Sequence, residues 1–322
     1  MQKLAEYQSI LEERISKISF PEQPNNLYEP LSYFMTLGGK RTRPVLSMLG
    51  CNLFGVPGLK AVNAAMTVEL FHNFTLIHDD IMDAAPLRRG KETVHQKWNE
   101  NVGILSGDAL FVIAYQHLAK HDTDVLPRLL EIFSKTALEV CEGQQMDMDF
   151  ETRKDVSIEE YLEMIRLKTS VLLGAALEMG ATVAKADDRN AKLIYDFGMY
   201  VGLAFQIKDD ILDLYADPEK FGKQVGGDVM ANKKTYLQIK AYELASTSQK
   251  EELKALESEK DLNKKVAEVK AIFNSIGVKE LAENKMQEYY TQAKKAMELI
   301  KVEEDHKQDL LGLAKYLMGR EN

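Results

Sequence analysis

An all-α protein is predicted, a bundle of long helices around a central cavity forming one domain over residues 1–322, and three observations predict it. Apolar residues recur at helical spacing along the chain, and no alternating strand pattern interrupts them. Proline and glycine gather between those segments, at Pro21–Pro24, Gly38–Gly39, Gly55–Gly58 and Pro86–Gly90, without any repeat or low-complexity linker. Two acid-rich motifs, each closing a strongly apolar helix, are best explained as two walls of a single cavity that share metal ions. These outweigh the soft prior of about two domains for a chain of 322 residues.

The composition, 45% hydrophobic and 28% charged, is ordinary for a chain with a sizeable core. A net charge of −9 and a pI near 5.4 argue against a general nucleic-acid or anionic-membrane surface, so local basic clusters are read as sites. Cys51 and Cys141 lack metal-ligand spacing; a reducing compartment is expected, with both thiols in helix cores. The N-terminal MQKLAEYQSILEERI lacks a signal-peptide core, and no stretch reaches the roughly 18 uncharged apolar residues of a membrane span. A cytoplasmic protein is expected.

Residues 1–20 read as an amphipathic helix stopped by Pro21 and Pro24, and residues 25–37 as a second one ending at Gly38-Gly39. Lys40, Arg41 and Arg43 beside those glycines suit a diphosphate, because glycine lets backbone N–H groups approach and the cations add charge-assisted bonds. The plainer reading is a basic cap on a helix C-terminus.

After a helix over 44–54, a long one over 59–82 carries His72, Asp79, Asp80 and Asp83 on or beside one stripe. Three carboxylates so close repel one another unless a cation lies between them, and hard oxygen donors select Mg²⁺ or Ca²⁺. The plainer reading is a solvated acidic helix end; the apolar run before the motif and Arg88-Arg89 after it favour a metal. Pro86 and Gly90 bracket those arginines in a loop.

Helices follow over 103–120, where Asp108 is expected to be a hydrogen-bonded structural carboxylate, and over 124–150, with Gln144 and Asp147 on one face. Ser157 and Glu160 fit a capping box for a helix that Lys168-Thr169-Ser170 interrupts, as a kink or a phosphate site. The helix over 189–215 places Gln206, Asp209, Asp210 and Asp213 at i, i+3, i+4, i+7, a second DDxxD on one face. A loop rich in glycine and lysine over 221–236 suits a lid over phosphates. The remainder reads as charged outer helices.

Taken in order, GGKRTRP, HDDIMDAAPLRRG, KTS, FQIKDDILD and GKQVGGDVMANKKTY resemble the trans-isoprenyl diphosphate synthases of the polyprenyl synthetase family. The resemblance implies a Mg²⁺-dependent prenyltransferase that elongates an allylic diphosphate (dimethylallyl, geranyl or farnesyl) with isopentenyl diphosphate, usually as a homodimer. It implies three Mg²⁺ ions bound by Asp79, Asp80, Asp83, Asp209, Asp210 and Asp213. Arg88, Lys168, Thr169, Gln206, Lys223 and Lys233 match allylic-diphosphate contacts, and Lys40, Arg43, His72 and Arg89 the isopentenyl diphosphate site. Ser170 departs from the glycine of many members. Ionisation of the allylic diphosphate, attack by the isopentenyl double bond and proton loss complete the implied reaction, with pyrophosphate as the usual base.

In this family a large residue five positions before the first aspartate limits chain growth; Phe74 holds that place, with small Thr75 beside it. With no insertion in DDIMD, the pattern resembles short-chain synthases making C20 geranylgeranyl diphosphate, with C15 farnesyl or longer products as alternatives. An ideal helical wheel puts Thr75 and Phe71 nearer the aspartate face than Phe74, so Phe71 is an alternative floor. A class I terpene cyclase would leave Lys40, Arg43 and Arg89 unexplained, and a non-catalytic subunit could have lost aspartates that this chain keeps. The Glu-x-x-His pairs at Glu69/His72 and Glu92/His95 are read as coincidences rather than a di-metal bundle.

Overall fold

Helix after helix begins and ends where the breakers stand. The computed structural model describes residues 2–216 and 225–319. The first three helices are α1 (Gln2–Ser16), α2 (Asn25–Met35) and α3 (Thr42–Leu53), followed by a 3₁₀ turn at Gly58–Ala61 and α4 (Val62–Met82). Then come β1 (Leu87–Arg88), β2 (Lys91–Glu92), α5 (Val94–Lys97), α6 (Glu100–Leu118), α7 (Leu126–Thr152) and α8 (Ile158–Ile165). A π-helical turn, Arg166–Ser170, leads into α9 (Val171–Val183) and α10 (Asp188–Tyr215). The chain continues with α11 (Gly227–Met230), α12 (Tyr236–Leu244), α13 (Thr247–Leu256), α14 (Leu262–Ile276), α15 (Val278–Leu299) and α16 (Glu304–Met318). The all-α class is as predicted. Among the described residues no helix is long and apolar enough to cross a membrane.

The chain forms two compact units, residues 1–137, 175–195 and 301–310 in one, and 138–174, 196–300 and 311–322 in the other. Four of the boundaries fall inside α7, α9, α10 and α16, and one falls between α15 and α16.

In the first unit α4 packs along α6 and α3, and α2 along α6. Val68, Leu70, Phe71 and Leu110 are fully buried there. In the second unit Ile207, Ile211 and Leu214 of α10 share a core with Leu237 of α12 and Phe273 of α14. At roughly 25 cal/mol per Å² of apolar surface, such burial is the main term holding each unit. The Ser157 capping box forms as predicted: Glu160 N donates to Ser157 Oγ (3.2 Å), and Ser157 N to Glu160 Oε2 (2.9 Å).

Several expectations are corrected. The loop after α4 contains a two-residue antiparallel hairpin, pairing Leu87 with Glu92 and Arg88 with Lys91. Arg89 (φ 53°) and Gly90 (φ 76°) supply the two left-handed residues of its tight turn. Strands this short cannot display alternation. Asp108 is exposed, its carboxylate 3.8 Å from His78 Nε2, and Cys141 is exposed while Cys51 is buried. Both residues lie on helix faces whose neighbouring apolar side chains are themselves exposed, such as Leu105, Val112 and Leu138.

The predicted break at Lys168–Ser170 is the π turn, so the chain stays helical there. Two helices approach it closely: a Cβ on Gly143 would stand 2.2 Å from Lys168 N, and one on Gly202 2.7 Å from Ser170 Cα. The two glycines let α7 and α10 press on the turn. Ser170 Oγ bonds back to Ile165 O (3.2 Å), so the serine departure is accommodated inside the turn.

Candidate active site

The last turns of α4 carry the first acidic motif, with Asp83 as its C-cap. Asp80 is 2% exposed and receives both forks of Arg88, Nε to Oδ2 at 2.7 Å and Nη2 to Oδ1 at 2.8 Å. Burial raises its pKa against the lowering effect of Arg88. The hairpin aims Arg88 back at α4. It also sends Arg89 onto Gly39, where a Cβ would meet Nη2 at 3.0 Å. Glycine at that position, φ 152°, is what joins the GGKRTRP motif to the double-arginine turn.

Arg43 Nη1 lies 3.3 Å from His72 Nε2. Enclosure, then the charges of Arg43, Arg88, Arg89 and Arg41, hold the His72 pKa well below its usual value. His72 is therefore neutral near pH 7, and since arginine only donates, Nε2 is the acceptor and Nδ1 carries the proton. Lys40 is exposed and follows Gly39 in the chain. Arg43 and Arg89 thus lie close to His72.

Arg41 does not join them. Its left-handed backbone (φ 47°) turns the side chain inward, to Glu12 (2.8 Å) and to buried Glu69, which also accepts from Asn73 Nδ2 (2.8 Å). Breaking a buried pair of this kind costs about 3–5 kcal/mol, so Arg41 serves the fold.

Below the motif Phe74 stacks on Phe111 (4.9 Å, 10°) and touches Phe71 (5.6 Å), which contacts Phe111 and Phe133 in turn. Phe71 is fully buried and Phe74 is 8% exposed. Thr75 Oγ1 caps inward on His72 O (2.8 Å). Because α4 is an unbroken α-helix, no distortion separates the two phenylalanines; they belong to one aromatic cluster.

The second unit holds a cavity of about 610 Å³ lined by Asp209, Asp210, Asp213, Asp228, Asp147, Gln206, Lys168 and Lys233, among others. Asp210 Oδ2 accepts from Tyr161 Oη (2.6 Å) and Tyr236 N (2.9 Å). Burial nevertheless pushes its pKa up to about 8, and Asp213 rises to about 6 through burial and Asp228. Lys168 Nζ donates to Asp147 Oδ2 (2.6 Å). Thr169 is buried at 8% exposure, within the π turn. Lys223 lies outside the described residues.

Asp228 and Tyr161 were missed by sequence reasoning. Asp228 follows two glycines, a signal of a close turn, but nothing local marks Tyr161.

Among the described residues no three His, Cys, Asp or Glu side chains stand as a ready metal cage. The oxygens of Asp80 face Arg88, and Asp210 faces Tyr161 and Tyr236. The donor chemistry still fits a hard divalent cation: Asp210 and Asp213, raised in pKa by burial and then by Asp228, share the cavity with Asp209 and Asp228.

A helical protein with an acidic cavity flanked by lysines, and a separate arginine and histidine cluster, has the makings of a metal-assisted diphosphate-handling enzyme. Residues 24–276 match the polyprenyl synthetase family. The chain is 36% identical over 323 residues to a short chain isoprenyl diphosphate synthase of Methanothermobacter thermautotrophicus, covering 100% of this chain and 99% of that one. It is similar to a solved geranylgeranyl pyrophosphate synthase (TM-score 0.93, 46% identity, 99% of each chain). Another, geranylgeranyl pyrophosphate synthetase from Pyrococcus horikoshii Ot3, superposes at TM-score 0.93 with 35% identity over 99% of this chain and 98% of that one. The chain belongs to the polyprenyl synthetase family and is an isoprenyl diphosphate synthase. Members of the family use a divalent metal.

Proposed function

We propose that the protein condenses isopentenyl diphosphate with dimethylallyl, geranyl or farnesyl diphosphate and releases C20 geranylgeranyl diphosphate. The observation that carries this reading is the presence of two cationic groups of different character. Arg43, Arg89 and neutral His72 form one, suited to isopentenyl diphosphate, to which the motif adds Lys40. Lys168 and Lys233, with Gln206 in the acidic cavity, form the other, suited to the allylic diphosphate. Arg88, Thr169 and Lys223 are assigned to the second group by the motif.

Three Mg²⁺ ions divided among Asp79, Asp80, Asp83, Asp209, Asp210 and Asp213 would neutralise the departing diphosphate, a poor leaving group otherwise. The lysines and Arg88 donate to its oxygens and favour the charge that develops as the C–O bond breaks. Arg43 and Arg89 hold the second substrate so that its double bond attacks the allylic carbon. His72, neutral, contributes a hydrogen bond without adding charge. Loss of a proton ends the cycle, with the departing pyrophosphate as the proposed acceptor. The aromatic cluster of Phe74 and Phe71 limits the product, Phe74 being the ring with surface still accessible.

The reading treats the chain as one polyprenyl synthetase domain, in the cytoplasm, working as a homodimer. Exposed Leu105 (60%) and Val112 (58%), two turns apart on α6, suit burial against a second copy.

Pyrophosphate release tests the reaction class. It is expected to require both an allylic diphosphate and isopentenyl diphosphate. Release from the allylic substrate alone, with isopentenyl diphosphate left unincorporated, would instead indicate a terpene cyclase. A purified protein that releases none would indicate a non-catalytic subunit.

A further inference from the structure

The segment over 225–235 that leads into α12 is tied to the second acidic motif at both ends. Gly226 N donates to Asp213 O (2.6 Å) and Asp228 N to Asp213 Oδ2 (3.1 Å), while Tyr236 N reaches Asp210 Oδ2 (2.9 Å). Between these ties, Asp228, Asn232 and Lys233 line the cavity. Further backbone bonds, Asn232 N to Val229 O (3.1 Å) and Lys233 N to Asp228 O (2.9 Å), hold the segment to itself, but they do not tie it to the helix behind it.

Lys265 of α14 does. It is 2% exposed, and its ammonium donates to Asn232 Oδ1 (2.7 Å), Glu257 O (3.3 Å) and Met230 O (3.4 Å). Three donors meet three oxygens. Two of these are carbonyls at helix C-termini, the last residue of α11 and the C-cap of α13, where a cation is favoured. Asn232 holds a left-handed backbone (φ 54°), and its Nδ2 donates to the same Glu257 carbonyl (3.1 Å).

Burying an ammonium is costly unless its bonds are satisfied, and packing alone would be served better by an apolar chain. The charge is thus spent on holding the residue immediately before Lys233. We infer that Lys265 is a positioning residue for the allylic diphosphate site, fixing the 228–235 segment from behind so that Lys233 faces the cavity. The inference rests on the assignment of that cavity to the allylic diphosphate.

The test compares Lys265→Met, Lys233→Ala and the double variant in steady-state kinetics, with amide exchange followed over residues 228–234. Lys265→Met is expected to raise KM for the allylic diphosphate about tenfold, since small displacements of binding groups cost 10- to 100-fold. KM for isopentenyl diphosphate should stay unchanged and exchange in 228–234 should rise. In the Lys233→Ala background the effect on KM should shrink below about twofold, the signature of coupled residues.

Equal rises in both KM values, or additive effects, would make Lys265 a general structural residue and overturn the inference. An unchanged allylic KM in Lys265→Met, with a raised one in Lys233→Ala, would overturn it while leaving the site assignment intact. An unchanged KM in Lys233→Ala would overturn both. If Lys265→Met fails to fold, Asn232→Gly removes the acceptor and keeps the left-handed backbone. The same selective rise in allylic KM is expected from it, and an unchanged value would overturn the inference.

Discussion

Asp209→Asn is expected to lower kcat by about 10²- to 10³-fold, the usual cost of removing one group that stabilises transition-state charge. The substitution keeps the shape and discards the charge. Asp209 and Asp210 both line the cavity, and Asp210 also accepts from Tyr161 and from the backbone of Tyr236. Asp210→Asn should accordingly lose stability as well as rate, because the packing of α12 depends on that carboxylate. Steady-state kinetics in Mg²⁺ and thermal melting of both variants separate the two roles. A loss below about threefold in Asp209→Asn would remove this residue from the account.

Phe74→Ala is expected to move the product distribution from C20 to C25 and longer, read by chromatography of the dephosphorylated alcohols. The ring stacks on Phe111 and retains some accessible surface, so its removal opens space on the accessible side of the cluster. Phe71 is enclosed on three sides by Phe74, Phe111 and Phe133. Phe71→Ala should therefore cost stability first, about 3–5 kcal/mol for a buried aromatic truncation. Unchanged products from Phe74→Ala, together with longer ones from Phe71→Ala, would place the floor at Phe71.

Much of this was legible in the sequence because helices are punctuated locally. Ser157 with Glu160 marked a helix start three residues at a time, and each DDxxD announced a carboxylate face through spacing alone. Arg41 was not legible as a fold residue. In the run Lys40-Arg41-Thr42-Arg43 the charges look equivalent, and only the left-handed turn at Arg41, with Glu12 and Glu69 waiting inside, separates them. Tyr161 and Lys265 act through contacts 49 and 33 residues away in the chain, beyond the reach of any local pattern. The π turn at Arg166–Ser170 packs closely against glycines on two other helices, so its own residues could suggest a kink or a phosphate site but not the π geometry.

The most direct measurement is product analysis of the unmodified protein with Mg²⁺, labelled isopentenyl diphosphate and each of the C5, C10 and C15 primers. One labelled C20 diphosphate from all three primers is the predicted result. Absence of label from every product, or a ladder running well past C20, would contradict the account.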